Sequence, residues 1–131
     1  MDKPILFLVE DEEDTATLIR MIMEEEGYDV VHASDGKQAQ IKIDALPPPA
    51  LVLLDMGLPH VHGLELLAQI RKKTTWNGVS VVMLTADGDQ THICKAIMAG
   101  ASDYVLKPFK RETLLARLAR FRAPGLNRRT A

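Results

Sequence analysis

The chain lacks most of the features that mark secreted, membrane-bound or disulfide-stabilised proteins. It contains a single cysteine, Cys94, so no disulfide bond can form within the chain. Its longest apolar runs, among them "ILFLV" and "VSVVML", are far shorter than the ~20 residues that cross a bilayer. The N-terminal "MDKPILFLV" has no basic region followed by an apolar stretch and a small-residue cleavage site. These absences predict a cytoplasmic protein that does not associate with a membrane.

Aromatic side chains are also scarce, at 5% of the residues, and the charges are unevenly distributed. Residues 1–29 carry ten acids and two bases, whereas residues 110–131 carry seven bases and one acid. A basic segment of this kind is one signal of nucleic-acid binding. Because it comes without a reading helix or stacking aromatics, we expect a solvated or partner-binding face and no direct contact with nucleic acid.

The apolar residues, 47% of the 131, are enough to bury the core of one domain. Short apolar segments predict strands at residues 5–9, 30–33, 51–54, 79–84 and 104–106. Helical periodicity predicts helices at residues 14–26, 36–46 and 64–73, a fourth that contains Ile93 and Ile97, and a fifth that contains Leu114, Leu118 and Phe121. Gly27 and Gly100 stand where a left-handed residue often ends a helix. We expect one domain over residues 1–122 and a tail or linker over residues 123–131.

The alternation of strands and helices determines the predicted architecture. Strands joined by connections of helix length run parallel, and nearly continuous apolar strands are buried on both faces. The sequence therefore predicts an α/β fold with a doubly wound parallel sheet covered by five helices. In such sheets a ligand binds beyond the carboxyl ends of the strands, so the residues that follow each strand form the candidate site.

Polar side chains follow four of the five predicted strands. Glu10 and Asp11 come after the first strand, Asp55 after the third, Thr85 after the fourth and Lys107 after the fifth. Taken alone, Asp55 is either a capping residue at a strand end or the reactive group of a site. Clustered carboxylates need a counter-charge, and a hard divalent cation with oxygen ligands supplies one. The pattern predicts Mg²⁺, with the ammonium of Lys107 as a second positive charge and the Thr85 hydroxyl as a donor to phosphoryl oxygens.

Four motifs occur in order at these strand ends, "LFLVEDEEDT", "LVLLDMGLP", "VVMLTA" and "AGASDYVLKPF". Through them the chain resembles, over residues 3–121, the receiver domain of two-component response regulators. The resemblance implies a flavodoxin-like sheet of five parallel strands in the order 2-1-3-4-5. It also implies that the domain takes part in phosphorelay signalling.

The resemblance assigns the acidic residues to phosphoryl chemistry. Asp55 is implied to be the phosphoacceptor. Asp11, Asp55 and the backbone carbonyl of Gly57 are implied to coordinate Mg²⁺ directly, and Glu10 to act through a metal-bound water. Aspartate is commoner than glutamate at the position of Glu10, but the longer side chain still reaches such a water.

The resemblance also implies a switch. Thr85 and Lys107 would contact the phosphoryl group on Asp55, and Tyr104 would change rotamer when Thr85 moves. The peptide bond between Lys107 and Pro108 is usually cis in this family. The surface formed by the fourth helix, the fifth strand and the fifth helix would then carry the output.

The sequence is compatible with three functions. The first is a receiver that takes a phosphoryl group from a sensor histidine kinase or a histidine phosphotransfer protein and switches to control a downstream effector. Such a domain is not an enzyme in the usual sense, although it assists its own phosphorylation and dephosphorylation. The second is an aspartate-nucleophile phosphohydrolase, which would carry a second aspartate where Gly57 stands. The third is a receiver-like interaction module that is never phosphorylated, although such modules normally lack one of the site residues present here.

The segment after Asp103 bears on self-association. Asp103 and Arg117 match one ion pair of the interface through which one branch of regulators dimerises. Uncharged residues occupy the positions of the other charged partners, namely Ile93, Met98, Thr113 and Ala119. We therefore expect a monomer or a weak homodimer, with no output domain in this chain.

Overall fold

The computed structural model of the chain describes residues 3–58, 61–124 and 126. The strands in these residues are β1 (Ile5–Val9), β2 (Asp29–Ala33), β3 (Leu51–Asp55), β4 (Ser80–Thr85) and β5 (Asp103–Leu106). The α-helices are α1 (Glu13–Glu25), α2 (Gly36–Ala45), α3 (Gly63–Lys72), α4 (Gln90–Met98) and α5 (Arg111–Leu118). Short 3-10 helices cover Thr74–Trp76 and Ala119–Phe121. None of the helices in the described ranges is long and apolar enough to span a bilayer.

The strands form one parallel sheet in the order β2-β1-β3-β4-β5, which confirms the predicted doubly wound α/β fold. Asp55 at the end of β3 lies opposite Leu84 of β4, and Thr85 lies opposite Leu106 of β5. Because the strands are parallel and in close register, their carboxyl ends share one rim of the sheet. The residues that follow them are therefore neighbours in space.

Alternating side chains divide the core into two layers. On one face, strand residues such as Phe7, Leu54 and Met83 pack beneath α2, α3 and α4. On the other face, residues such as Leu8 and Leu84 pack beneath α1 and α5. The strands are thus covered on both sides, as expected from their nearly continuous apolar sequences.

Gly27 and Gly100 end α1 and α4 in the way that the sequence predicts. Their φ angles are +104° and +114°, in the left-handed region that costs glycine little. After α1, the N–H of Gly27 donates to the Glu24 carbonyl and the N–H of Tyr28 to the Met23 carbonyl, each at 3.1 Å. This pair of bonds satisfies carbonyls that have no partner within the helix.

Several element ends differ from the prediction by one residue. Among the strands, β2 and β5 begin one residue earlier than predicted, and β4 is shifted one residue later. Among the helices, α1 and α3 are shifted one residue earlier, and α2 ends one residue earlier. Leu46 leaves α2 because it precedes Pro47, whose ring disfavours a helical conformation in the residue before it. Asp55 and Thr85 are the last residues of their strands and do not follow them, since their backbones still pair with the neighbouring strand. Strand ends depend on that pairing, which a hydrophobic pattern does not report.

The prediction that Phe121 belongs to the fifth helix is wrong. α5 ends at Leu118, and Phe121 lies in the 3-10 helix that follows, where the N–H of Arg122 donates to the Ala119 carbonyl at 3.4 Å. A tighter last turn is a common way to satisfy carbonyls at a helix end. Phe121 stands three residues after Leu118, a spacing that fits an α-helix and a 3-10 helix alike, so the sequence pattern does not distinguish the two.

The chain beyond α5 remains in contact with the domain. The N–H of Ala123 donates to the buried hydroxyl of Tyr28 at 3.1 Å, and Ala123 itself is buried. The predicted boundary after residue 122 stays a prediction, because residues 125 and 127–131 of the predicted tail lie outside the described part of the chain.

Candidate functional site

Three carboxylates meet at the carboxyl rim of the sheet. Glu10 and Asp11 follow β1, Asp55 ends β3, and each offers an oxygen that lies within 4.8 Å of the other two. Glu10 is completely buried and Asp55 is 5% exposed, whereas Asp11 faces solvent. Carboxylates packed this closely cannot all remain ionised without a positive charge nearby.

Lys107 provides part of that positive charge. Its Nζ lies 2.5 Å from Oε1 of Glu10 and 3.4 Å from Oδ2 of Asp55. Its backbone N–H donates to the Thr85 carbonyl at 2.7 Å, which fixes the start of the side chain beside the end of β4. The bond from Lys107 to Pro108 is cis, as the family resemblance leads one to expect.

The direct contact between Glu10 and Lys107 was not predicted, because the resemblance assigns Glu10 to a metal-bound water and Lys107 to the phosphoryl group. Burial raises the pKa of Glu10 to about 7, although the ion pair with Lys107 and a hydrogen bond from the N–H of Glu12, at 3.1 Å, lower it. Burial also lowers the pKa of Lys107, but the bond to Glu10 and the charge of Asp55 outweigh this effect and leave that pKa raised. The ammonium of Lys107 is therefore held between two carboxylates.

Two glycines shape the surroundings of Asp55. The N–H of Gly57 donates to Oδ1 of Asp55 at 3.0 Å, and a Cβ added at Gly57 would lie 3.7 Å from that oxygen, an ordinary contact. A Cβ added at Gly63 would lie 2.7 Å from the Asp55 carbonyl oxygen and 2.8 Å from Cα of Met56. Both contacts are with backbone, so only glycine fits at the start of α3. Sequence reasoning missed this role, whose only signal is a glycine at the first position of a helix.

The two predicted switch residues, Thr85 and Tyr104, lie on the neighbouring strands β4 and β5. Thr85 is 4% exposed, and its Oγ1 accepts a bond from the N–H of Asp87 at 2.9 Å. Tyr104 pairs with Met83, two residues before Thr85, so Tyr104 and Thr85 lie on the same face of the sheet. The Tyr104 ring is half-buried and packs against the guanidinium of Arg117, whose carbon lies 4.9 Å from the ring centre.

A cleft of about 540 Å³ opens in front of Asp55. Two predicted site residues, Thr85 and Lys107, line it. Residues that were not predicted as site residues line it as well, namely Met56, His62, Leu64, Ala86, His92 and Lys95. Asp11 lines a neighbouring cavity on the α1 side. The cleft therefore opens beside Asp55 on the side of α3 and α4.

The donor set fits magnesium. It consists of carboxylate oxygens, with the Gly57 backbone two residues beyond Asp55, and Mg²⁺ prefers hard oxygen ligands from a few carboxylates. Within the described ranges, Glu10, Asp11 and Asp55 are the acidic group whose ligand atoms lie close enough to hold such an ion.

Comparison with known protein families identifies the domain. The model of the response regulator receiver domain matches residues 6–119 of this chain. The chain belongs to the response regulator receiver domain family. Receiver domains are signalling domains and not typical enzymes; they bind Mg²⁺ at an acidic site and interact with histidine kinases and downstream effectors.

Relatives of the receiver domain include longer regulators. The chain is 36% identical over 115 residues to the phosphate regulon transcriptional regulatory protein PhoB of Rhizobium meliloti, and 37% identical over 113 residues to the DNA-binding response regulator MtrA of Mycolicibacterium smegmatis. These matches cover 88% and 86% of this chain but 50% and 48% of the relatives. The chain thus spans about half the length of the curated relatives it matches.

Solved structures agree with the fold. The receiver domain of the sensor histidine kinase PA1611 from Pseudomonas aeruginosa is 31% identical, with a TM-score of 0.81 over 92% of this chain and 98% of that one. That structure has a magnesium ion coordinated in its active-site cleft. The chemotaxis response regulator CheY4 of Vibrio cholerae, with a TM-score of 0.86 over 92% of this chain and all of that one, is 24% identical and supports the fold alone.

Proposed function

We propose that this receiver domain accepts a phosphoryl group on Asp55 from a histidine kinase or a histidine phosphotransfer protein, and that the modification switches the domain toward an effector. One observation carries the proposal. The Asp55 carboxylate lies at the floor of an open cleft, 3.4 Å from the ammonium of Lys107 and beside the carboxylates of Glu10 and Asp11. An acid in this position is poorly explained as a solvated cap, because it is nearly buried and next to two other acids.

The reaction transfers phosphorus from nitrogen to oxygen. A carboxylate oxygen of Asp55 attacks phosphorus, the P–O bond forms, the P–N bond of the phosphohistidine breaks, and the imidazole leaves with its electron pair and is protonated. The protein mainly positions these groups and neutralises the charge on the transferring oxygens. The ammonium of Lys107 lies 3.4 Å from Oδ2 of Asp55, which supports a contact between Lys107 and those oxygens.

Mg²⁺ would be held by the carboxylates of Asp11 and Asp55 and by the backbone carbonyl of Gly57, with Glu10 acting through water. When bound, the ion supplies positive charge to the transferring oxygens. Lys107 cannot pair fully with Glu10 and with a phosphoryl group at once, since its ammonium lies 2.5 Å from Glu10. We infer that Lys107 turns from Glu10 toward the phosphoryl oxygens as the reaction proceeds.

The switch follows from a contact that exists only after phosphorylation. The phosphoryl group adds about −1.5 to −2 charge beside β4. We expect the Thr85 hydroxyl to donate to it, which draws the loop after β4 inward and leaves room for the Tyr104 ring. Such a differential contact shifts a two-state equilibrium, and the face of α4, β5 and α5 would report the shift to an effector.

The partners follow from the same site. We expect a cytoplasmic protein whose phosphodonor is a histidine kinase or phosphotransfer protein, whose effector is a protein, and which contacts neither nucleic acid nor membrane directly. Asp103 pairs within the chain with Arg117 and Arg120, each at 3.3 Å. Because this carboxylate is already neutralised by its own chain, it offers little to a second copy, which supports a monomer or a weak homodimer.

Intact-mass measurement after incubation with acetyl phosphate and Mg²⁺ tests the proposal. The wild type should gain the mass of one phosphoryl group, and the gain should disappear in EDTA. Asp55→Asn preserves the shape of the side chain but forms no acyl phosphate, so it should gain nothing. Asp29→Asn, a matched change at an exposed position of β2, should be phosphorylated like the wild type.

The same experiment separates the two other functions. A wild type that gains no mass, although its fold is intact by circular dichroism, would indicate an interaction module that is not phosphorylated. Rapid release of phosphate from simple phosphate esters would indicate a phosphohydrolase. Gly57 argues against the second outcome, because it has no side-chain oxygen to protonate a leaving group beside Asp55.

A further inference from the structure

The hydroxyl of Thr85 is held by the backbone of one residue. Its oxygen accepts from the Asp87 N–H at 2.9 Å, and its single proton is directed at the Asp87 carbonyl at 3.4 Å. A hydroxyl has one proton, so donation to a phosphoryl oxygen on Asp55 requires Thr85 to give up the Asp87 carbonyl. The position of Asp87 therefore contributes to the cost of moving Thr85.

Asp87 is in turn anchored to the first turn of α4. Its Oδ1 accepts from the N–H of Asp89 at 2.8 Å, and its Oδ2 is hydrogen-bonded to Nδ1 of His92. The N–H of Asp89 and the ring of His92 hold the Asp87 carboxylate in its ionised form, and both lower its pKa, Asp89 more than His92. Asp89 itself caps α4 by accepting from the N–H of Thr91 at 2.8 Å. These contacts form a continuous path from Thr85 through Asp87 to α4.

We propose that His92 is a positioning residue for the phosphoacceptor site: by holding Asp87 on α4, it keeps the Thr85 hydroxyl turned to the Asp87 backbone and so opposes the phosphorylated arrangement. The inference rests on the proposed function, because it concerns the response to a phosphoryl group on Asp55. His92 lines the cleft in front of Asp55, and so does Lys95, one turn further along α4. The contact between Asp87 and His92 therefore lies between the site and the helix that is expected to carry the output.

The coupling must be reciprocal. If the pair between Asp87 and His92 opposes movement of Thr85, then a phosphoryl group that recruits Thr85 must weaken the pair. Both side chains of the pair are about half exposed, and even a charged pair contributes little when it is this exposed. Loss of the pair should accordingly favour the phosphorylated arrangement by only about two- to five-fold.

Beryllofluoride with Mg²⁺, which imitates a phosphoryl group on aspartate, is the probe. In the wild type, the ring ¹⁵N signals of His92 should shift on addition of beryllofluoride, as the pair with Asp87 loosens. His92→Ala should bind beryllofluoride about two- to five-fold more tightly than the wild type. Cys94→Ala, a change at another exposed position of α4, should bind as the wild type does.

The Thr85→Ala variant tests whether the effect of His92 acts through the Thr85 hydroxyl. In Thr85→Ala the gain from His92→Ala should vanish, because the hydroxyl that the pair restrains is missing. An equal gain in both backgrounds would overturn the inference, as would unchanged His92 signals together with unchanged affinity in His92→Ala. Both results leave the proposed function intact, provided that the wild type binds beryllofluoride. A wild type that neither binds beryllofluoride nor accepts phosphate overturns the proposed function, and the inference with it.

Discussion

Glu10→Gln is expected to remove a pH dependence from the stability of the domain. Burial raises the pKa of Glu10 to about 7 in the folded state, from 4.5 in an unperturbed glutamate. The folded state therefore binds this proton more tightly than the unfolded state, so protonation of Glu10 stabilises the fold. That stabilisation is complete below pH 4.5 and is lost as the pH rises through about 7. Between pH 5 and pH 8 the loss amounts to roughly 2–3 kcal/mol of unfolding free energy.

Urea denaturation in EDTA, followed by circular dichroism, measures this effect. Other groups titrate over the same range, so the useful quantity is the difference between the wild type and Glu10→Gln at each pH. Glutamine resembles the protonated acid and does not titrate. Relative to the variant, the wild type should be more stable at pH 5 than at pH 8 by roughly 2–3 kcal/mol. Glu24→Gln, a change at an exposed position of α1, serves as the control and should leave the pH profile of the wild type unchanged.

Magnesium extends the test, because a divalent cation favours ionised carboxylates. At pH 8, saturating Mg²⁺ should raise the unfolding free energy of the wild type, by an amount set by its concentration and affinity. A difference between wild type and Glu10→Gln that does not change with pH in EDTA would refute the reasoning from burial. A wild type that instead gains stability with pH would show that the ion pair with Lys107 outweighs burial.

Three further changes test the packing around the site and the core. Trp76 is completely buried, so Trp76→Ala should lower the unfolding free energy by about 3–5 kcal/mol in urea denaturation, and a loss below about 1 kcal/mol would contradict its role in the core. Gly63→Ala should cost about 1–3 kcal/mol, because its Cβ would meet backbone at 2.7 Å, and it should slow phosphorylation by acetyl phosphate by displacing Asp55. Tyr28→Phe should cost about 1 kcal/mol and speed hydrogen exchange at the N–H of Ala123, whereas unchanged exchange would show that this bond does not hold the segment.

The sequence alone was enough to predict the sheet and the group of acids at its rim. Apolar runs of strand length separated by helices leave few arrangements other than a parallel sheet, and parallel strands bring their carboxyl ends together. A polar residue at the end of a buried run must then lie at that rim, which is why Glu10, Asp55 and Thr85 could be placed near each other without coordinates. The helix ends at Gly27 and Gly100 could also be predicted, because the left-handed conformation that ends a helix favours glycine.

Contacts between distant parts of the chain were decided only by the tertiary structure. β1 and β5 are separated in the sheet by β3 and β4, so whether the ammonium of Lys107 reaches Glu10 depends on side-chain direction and on the twist of the rim. The pairing of His92 with Asp87 depends likewise on the rotation of α4 about its axis, which the packing of Ala96 beneath it helps to fix. Sequence periodicity reports which face of an element is buried, but not the angstrom-scale distances between polar atoms on different elements. Those distances follow from the packing of the whole core, and in this domain they determine which acid is paired with Lys107 and how the Thr85 hydroxyl is held.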